Sequence, residues 1–85
     1  MTNLKECINL GPTIIKNLKK VEITSLEDIK SVGPSEIYLR LKNKYPDKTW
    51  PVCYYLYSLE GALKNKHWDD IGNRRKSQLL KQIGR

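Results

Sequence analysis

Four prolines limit where helices can begin in this 85-residue chain. Proline has no backbone N–H and clashes with the preceding turn inside a helix, but it is well tolerated at the first helical position. Pro12 and Pro34 each follow a glycine, in the phrases LGPTII and VGPSEI, and each predicts the start of a helix. Pro46 lies in a predicted loop, whereas Pro51 starts a further helix. The chain should therefore fold into several short helices.

Apolar residues recur at helical spacing in the segments between these breaks. The clearest example is Val52, Leu56, Leu59 and Leu63, which fall on one side of a helix. No segment alternates polar and apolar residues for long enough to predict a strand. We expect an all-α fold, a compact single domain of five to six helices over residues 1–85. The predicted helices cover residues 3–8, 12–20, 25–31, 34–44, 51–65 and 74–83.

Local features predict how some of these helices begin and pack. Thr24 and Glu27 have the spacing of a capping box, in which a hydroxyl and a later carboxylate satisfy free amides at a helix start. Asn73 is predicted to cap the last helix. Gly61 lies inside a helix, where glycine is about 1 kcal/mol less favourable than alanine. We therefore expect a neighbour that packs too closely for a side chain, and we expect Glu60 to bind backbone N–H groups or a cationic side chain.

The charge of the chain favours an anionic partner. Sixteen Lys and Arg against nine Asp and Glu give a net charge of +7. No run approaches the roughly 18 apolar residues of a membrane span, and the first ten residues lack the apolar core of a signal peptide. We expect a cytoplasmic protein without membrane contact. Cys7 and Cys53 lie in apolar surroundings, so we expect two reduced, buried thiols.

The segment NLGP, between the first two predicted helices, has the layout of a helix-hairpin-helix motif. That motif usually reads Gly-apolar-Gly, and its tight turn directs backbone N–H groups toward one phosphate. Asn9 replaces the first glycine and tolerates a positive φ, while Gly11 and Thr13 keep their amides. The lysines that would flank a phosphate are Lys16, Lys19 and Lys20. The alternative is an ordinary helix start whose lysines form a solvated face.

The last predicted helix is the most basic part of the chain. From residue 64 onward the sequence has seven Lys and Arg but only two Asp. Arg74 and Arg75 could follow a phosphate backbone or meet an acidic protein surface. Two partners therefore stay open: DNA, bound non-specifically through its backbone, or an acidic protein in an interaction module that does not bind nucleic acid. The candidate nucleic-acid-binding residues are Asn9, Gly11, Thr13, Lys16, Lys19, Lys20, Arg74 and Arg75.

The residues that could ligate a metal or act as nucleophile and base are scattered. The candidates are Cys7, Cys53, His67, Asp69 and Asp70, and the sequence has no CxxC, HxxxH or HExxH. Catalysis by a carboxylate would also need a second titratable partner at a useful spacing. We therefore expect neither a metal site nor a cofactor, and we do not expect an enzyme.

Several motifs follow one another in a set order over about residues 8–82. They are LGP at 10–12, IT at 23–24, LEDI at 26–29, VG at 32–33 with Glu36 and Tyr38, LYSLEGAL at 56–63, Trp68, and KSQLL at 76–80. This order resembles the C-terminal domain of TfoX/Sxy-type proteins, and LEGAL followed by Trp68 is its most specific part. The resemblance implies an all-helical fold whose N-terminal half is helix-hairpin-helix-like.

The resemblance also implies a function. It links the chain to the regulation of natural competence in bacteria, where two-domain members act as positive transcriptional regulators. Those members carry a separate N-terminal domain, whereas only one short predicted helix precedes residue 8 here. We therefore expect a stand-alone copy of the C-terminal domain. The family has no established catalytic residues to carry over.

Overall fold

The all-helical prediction is confirmed. A computed structural model describes residues 2–85, and this part of the chain contains five α-helices and no strand beyond an isolated bridge between Asn3 and Ser25. Two single 3₁₀ turns, Leu4–Glu6 and Trp68–Ile71, complete the helical structure. The α-helices are α1 (Pro12–Lys19), α2 (Leu26–Val32), α3 (Pro34–Lys44), α4 (Leu56–Lys64) and α5 (Asn73–Gln82).

Helix α4 lies at the centre of the domain and contacts α2, α3, α5 and the 3₁₀ turn Trp68–Ile71. Leu56 and Leu59 on this helix have no exposed surface. Full burial of such a side chain stabilises the fold by roughly 1.5–3 kcal/mol. The other helices direct equally buried side chains at α4 and at one another, namely Leu18, Ile29, Ile37, Leu41 and Leu79. The predicted apolar stripes therefore form a common core.

The start of α4 differs from the prediction by five residues. We expected a helix from residue 51, but residues 52–55 form turns. The amide of Tyr57 donates to the carbonyl of Val52 at 2.9 Å, one residue farther back than in an α-helix. The hydroxyl of Ser58 donates to the carbonyl of Cys53 at 3.2 Å. These bonds satisfy the carbonyls in a wider turn, so the α-helix begins only at Leu56.

Aromatic residues hold the connection between α3 and α4 against the core. Trp50 is buried, its indole N–H donates to the carbonyl of Tyr45 at 3.1 Å, and its own carbonyl accepts from the hydroxyl of Tyr38. The ring of Tyr55 meets Trp50 edge-on, with centroids 5.1 Å apart. Tyr55 is therefore a core residue, as its place beside the Leu56 stripe predicts.

The capping box is shifted by one residue from its predicted place. Ser25 is the cap of α2, and its hydroxyl accepts from the amide of Asp28 at 3.2 Å. The carboxylate of Asp28 accepts from the amide and hydroxyl of Thr24 at 3.0 and 3.1 Å. Glu27 instead accepts from the amide of Thr2 at 2.7 Å, and thereby ties the N-terminus to α2. These bonds lower the pKa of both carboxyl groups.

Other helix ends differ from the prediction by smaller steps. The helix predicted over 3–8 is only the 3₁₀ turn Leu4–Glu6, so the first arm of the hairpin is a single turn. Helix α5 is capped by Gly72, whose φ of 92° suits glycine, and Asn73 is the first helical residue. Within residues 2–85, no helix is long and apolar enough to cross a membrane.

Candidate partner-binding surface

The turn before α1 has the backbone conformation that the sequence predicts. Asn9 has a φ of 74°, in the left-handed region. Gly11 is extended and caps α1, and Pro12 takes the first helical position. No side chain caps this helix, and its first turn has no acidic residue. The first-turn amides, among them that of Thr13, have no partner inside the helix.

The side chain of Asn9 is half-buried and joins the hairpin to the end of α4. Its amide nitrogen donates to the carbonyl of Lys66 at 2.8 Å and to that of Ser58 at 3.5 Å. Its oxygen accepts from the amide of Trp68 at 3.2 Å. The side-chain amide of Asn9 is therefore engaged within the fold.

Gly61 packs directly against this clamp. A Cβ at this position would lie 2.6 Å from Asn9 Nδ2, 2.6 Å from the Lys66 carbonyl oxygen and 3.3 Å from the Trp68 Cα. Real Cβ atoms do not approach that closely, so the site accepts only glycine without a shift of the neighbours. The prediction that a neighbour excludes a side chain at Gly61 is confirmed.

Lys16, Lys19 and Lys20, which the sequence predicts to flank a phosphate, lie beside a groove, together with Lys5 from the N-terminal 3₁₀ turn. The groove has a volume of about 570 Å³ and runs along α1. Its floor is apolar, and two floor residues, Leu10 and Ile15, are only 7% and 8% exposed. We call this site the α1 groove; it is lined by Leu10, Pro12 and Ile15 and by Lys5, Lys16, Lys19 and Lys20.

A second group of lysines lies where α1 and α3 end. The Nζ atoms of Lys20, Lys44 and Lys48 lie 5.3, 5.9 and 5.2 Å from the centroid of the Tyr45 ring. We call these four residues the Tyr45 cluster. Lys44 also donates to the carbonyl of Lys20 at 2.6 Å. This carbonyl lies at the C-terminus of α1, which favours a cation because the C-terminus of a helix carries partial negative charge.

The lysines of both sites form no ion pair with the described part of the chain. Within residues 2–85, no carboxylate lies within 4.0 Å of any of their ammonium groups. Lys20 belongs to the α1 groove and to the Tyr45 cluster, so the two sites are continuous. We call the joint surface, formed by Lys5, Lys16, Lys19, Lys20, Lys44 and Lys48, the basic face.

The basic residues near the C-terminus have a different environment. Arg75 donates from Nε and Nη2 to the carboxylate of Glu60 at 2.9 and 3.1 Å. Lys64 also pairs with Glu60 at 3.0 Å, and Lys76 pairs with Asp69 at 2.6 Å. The expectation that Glu60 binds a cationic side chain is confirmed.

The pKa of Glu60 reflects this pairing. Burial raises the pKa of the carboxyl, but the hydrogen bonds and charges of Arg75 and Lys64 outweigh burial and hold it below its ordinary value. The guanidinium of Arg75 is therefore engaged inside the fold. Arg74 is exposed on α5, and neither arginine lines the α1 groove.

The sequence-based candidates omit about half of the basic face. The omitted residues are Lys5, Lys44 and Lys48, which lie on other elements of the chain than the predicted lysines. The sequence holds one indication of the Tyr45 cluster, because Lys44 and Lys48 lie on either side of Tyr45, one and three residues away. Only the fold shows that Lys20, some 25 residues earlier, joins them.

The thiols do not form a common site. Cys7 is half-buried, and Cys53 is exposed, so the prediction of a buried thiol is wrong for Cys53. The turn that replaces the first residues of the predicted helix accounts for this, because it leaves Cys53 outside the core. Burial raises the pKa of the Cys7 thiol. Among the described residues, no three His, Cys, Asp or Glu side chains are grouped to hold a metal.

These features define a class of protein: a small all-helical domain with a lysine-rich face around an apolar groove. The chain belongs to the TfoX C-terminal domain family, whose model matches residues 1–83. It is also similar to the crystal structure of an uncharacterized protein from Listeria monocytogenes, in a triclinic form. That likeness has 30% sequence identity and a TM-score of 0.80, and it covers 94% of this chain and 88% of the other. Comparison with curated proteins gives no match.

Proposed function

We propose that this chain is a non-enzymatic regulatory domain that contacts the backbone of DNA through its basic face. Family membership supports a regulatory role, of the kind that controls natural competence in the bacterial cytoplasm. The carboxylates with lowered pKa values each hold a structural partner. Glu27, Asp28, Glu60 and Asp69 bind Thr2, Thr24, Arg75 and Lys76.

The observation that carries the proposal is the convergence of three ammonium groups on Tyr45, none of which pairs with a carboxylate of residues 2–85. Like charges repel, and the ring offsets this only in part, since a cation over an exposed aromatic ring gains about 0.5–1 kcal/mol. A phosphate among Lys20, Lys44 and Lys48 would relieve the repulsion. Duplex DNA presents such phosphates in a regular row and gains affinity from each one neutralised, because counterions are released.

The hairpin turn adds a neighbouring contact. Gly11 and Thr13 offer backbone amides at an uncapped helix start, and Asn9 offers its left-handed backbone. A phosphate there would meet no acid in the first turn of α1. Lys16 lies one turn farther along the same helix. The turn would thus position the domain on the backbone without reading bases.

A salt titration with labelled duplex DNA tests the proposal. The logarithm of affinity should fall linearly with the logarithm of salt concentration, by roughly 0.9 for each phosphate neutralised. The double variant Lys16→Ala/Lys20→Ala should weaken binding to all sequences alike and reduce the slope. The double variant Lys44→Ala/Lys48→Ala should do the same.

The matched control is Lys30→Ala/Lys81→Ala, which removes the same charge from exposed positions outside the basic face. It should retain nearly all of the DNA affinity. If this control weakens binding as much as the basic-face variants do, only net charge matters and the proposed site is wrong. No binding at low salt would refute the DNA function itself. An acidic protein is the second candidate partner, and the apolar floor of the α1 groove favours it.

A further inference from the structure

The α1 groove has a feature that DNA contact does not explain. Its floor consists of Leu10, Pro12 and Ile15, and Pro12 is exposed. A phosphate backbone needs cations and hydrogen-bond donors, and it gains nothing from apolar carbon. Elsewhere on the basic face, at the Tyr45 cluster, the ammonium groups surround a single aromatic ring. The groove therefore combines a charged rim with an apolar floor.

We propose that the α1 groove binds an acidic amphipathic helix of a protein partner. The apolar side of that helix would lie on the floor, and its Asp and Glu residues would face the four lysines of the rim. Recognition of a helix in a groove uses apolar anchors three and four residues apart. The four lysines of the rim favour an acidic helix, because they would repel a helix that carries positive charge. A second copy of this chain is a poor occupant because it too carries +7.

The dimensions of the groove fit such a helix. Helix α1 has eight residues, which corresponds to a length of about 12 Å, or roughly two turns of a docked helix. Lys16, Lys19 and Lys20 lie three and four residues apart and so form one wall. Lys5 comes from the N-terminal 3₁₀ turn and lines the groove with them. Lysines from two separate elements would therefore be available to the carboxylates of the docked helix.

Because the α1 groove and the basic face share lysines, a docked helix would compete with DNA. This competition rests on the proposed function, whereas the docking of the helix does not. Lys16, Lys19 and Lys20 belong to the groove and to the basic face. A helix that covers them removes them from DNA. An acidic partner would thus release the domain from DNA by direct exclusion, with no change of conformation.

The test uses a labelled synthetic peptide of about three helical turns, with Leu at positions three and four apart and Glu elsewhere. Fluorescence anisotropy measures its affinity for the whole chain. Ile15→Gln should weaken binding at least about tenfold, the equivalent of 1.4 kcal/mol. Because Ile15 is nearly buried, Pro12→Ser at the exposed part of the floor provides a second variant, and circular dichroism checks that both are folded. Lys44→Ala/Lys48→Ala should bind the peptide as the wild type does.

Control peptides separate the floor from the charge. A scrambled peptide of the same composition should bind at least about tenfold more weakly, and a peptide with Lys in place of Glu should not bind. Equal binding of the scrambled peptide, or wild-type affinity in both folded floor variants, overturns the proposal.

DNA measurements distinguish the two proposals. Ile15→Gln should leave DNA affinity unchanged, and the acidic peptide should displace DNA from the wild type. Peptide binding without any DNA binding would refute the DNA function and retain the docking site. DNA binding without peptide binding would refute the docking site alone. If the peptide and DNA bind together without competition, the exclusion mechanism is wrong.

Discussion

Arg75 forms two parallel hydrogen bonds with Glu60, from Nε at 2.9 Å and from Nη2 at 3.1 Å, and thereby joins α5 to α4. Glu60 is only 4% exposed, so its charge depends on this partner. Bidentate pairs of this kind are stronger than single hydrogen bonds between neutral groups. Lys64 adds a contact at 3.0 Å from the same helix, but it is itself more exposed than Arg75.

Removal of Arg75 should destabilise the fold more than removal of Lys64. Arg75→Ala leaves a buried carboxylate with one exposed partner, and we expect a loss of about 2–3 kcal/mol in the free energy of unfolding. Lys64→Ala removes only the more exposed partner and leaves both Arg75 hydrogen bonds to Glu60 in place, so it should lose less than about 1 kcal/mol. Urea denaturation measures both. Equal losses would contradict the assignment of Arg75 as the principal partner.

The same ion pair should make stability depend on pH. The pKa of Glu60 is lower in the folded than in the unfolded state. Its contribution to stability is therefore complete above the ordinary Glu pKa of about 4.3 and is lost as pH falls through the folded pKa. Glu60→Gln should reduce the acid-side loss of stability.

A difference measurement isolates this effect, because Glu27, Asp28 and Asp69 also have lowered pKa values. The stability of the wild type minus that of Glu60→Gln should decrease as pH falls below about 4.3. A difference that is constant between pH 7 and pH 3 would show that Glu60 does not titrate with a lowered pKa.

The sequence predicts which segments are helical better than it predicts how they meet. Pro34 and the following apolar stripe place α3 at its observed bounds, because a proline start is a local signal. The beginning of α4 could not be predicted, since it depends on the hydroxyl of Ser58 and on packing around Trp50. The basic face could not be predicted for the same reason. The sequence places Lys20 at the end of α1, but the contact of α1 with α3 sets its position beside Tyr45.

Asn9 should tolerate glycine better than alanine. Asn9→Gly keeps the positive φ but removes the clamp on Lys66 and Trp68, and we expect a loss of about 1–3 kcal/mol. Asn9→Ala should lose roughly 1 kcal/mol more, because alanine resists the left-handed conformation. Thermal and urea unfolding measure both variants.

Glu22 provides the control for the Asn9 variants. It has a φ of 64°, and its side chain forms no hydrogen bond with any other of residues 2–85. Glu22→Gly should therefore be neutral or slightly stabilising, since glycine relieves the backbone without loss of a clamp. If Asn9→Gly is as harmless as Glu22→Gly, the side-chain hydrogen bonds of Asn9 contribute nothing.

Ser25 should matter more than Thr24 at the start of α2. Ser25→Ala removes the hydroxyl that accepts from the amide of Asp28 and should cost about 1 kcal/mol. Thr24→Ala removes only an exposed hydroxyl that donates to Asp28, and the backbone bond remains. The capping box predicted from the sequence gives the opposite order. Urea denaturation of the two variants decides which order holds, and a larger effect of Thr24→Ala would contradict the observed cap.

Gly61→Ala should destabilise the domain although alanine is the better helix former. Helix propensity alone predicts a gain of about 1 kcal/mol from this change. The added Cβ would lie 2.6 Å from both Asn9 Nδ2 and the carbonyl oxygen of Lys66, so the hairpin and the end of α4 must move apart. We expect a net loss of about 1–3 kcal/mol, as for other overpacked sites, and a larger loss for Gly61→Leu. In the double variant Asn9→Gly/Gly61→Ala the clash with Asn9 is absent and the Lys66 carbonyl remains, so the combined loss should be smaller than the sum. A higher melting temperature for Gly61→Ala would mean that α4 has room on this side and that the clamp is looser than the structure shows.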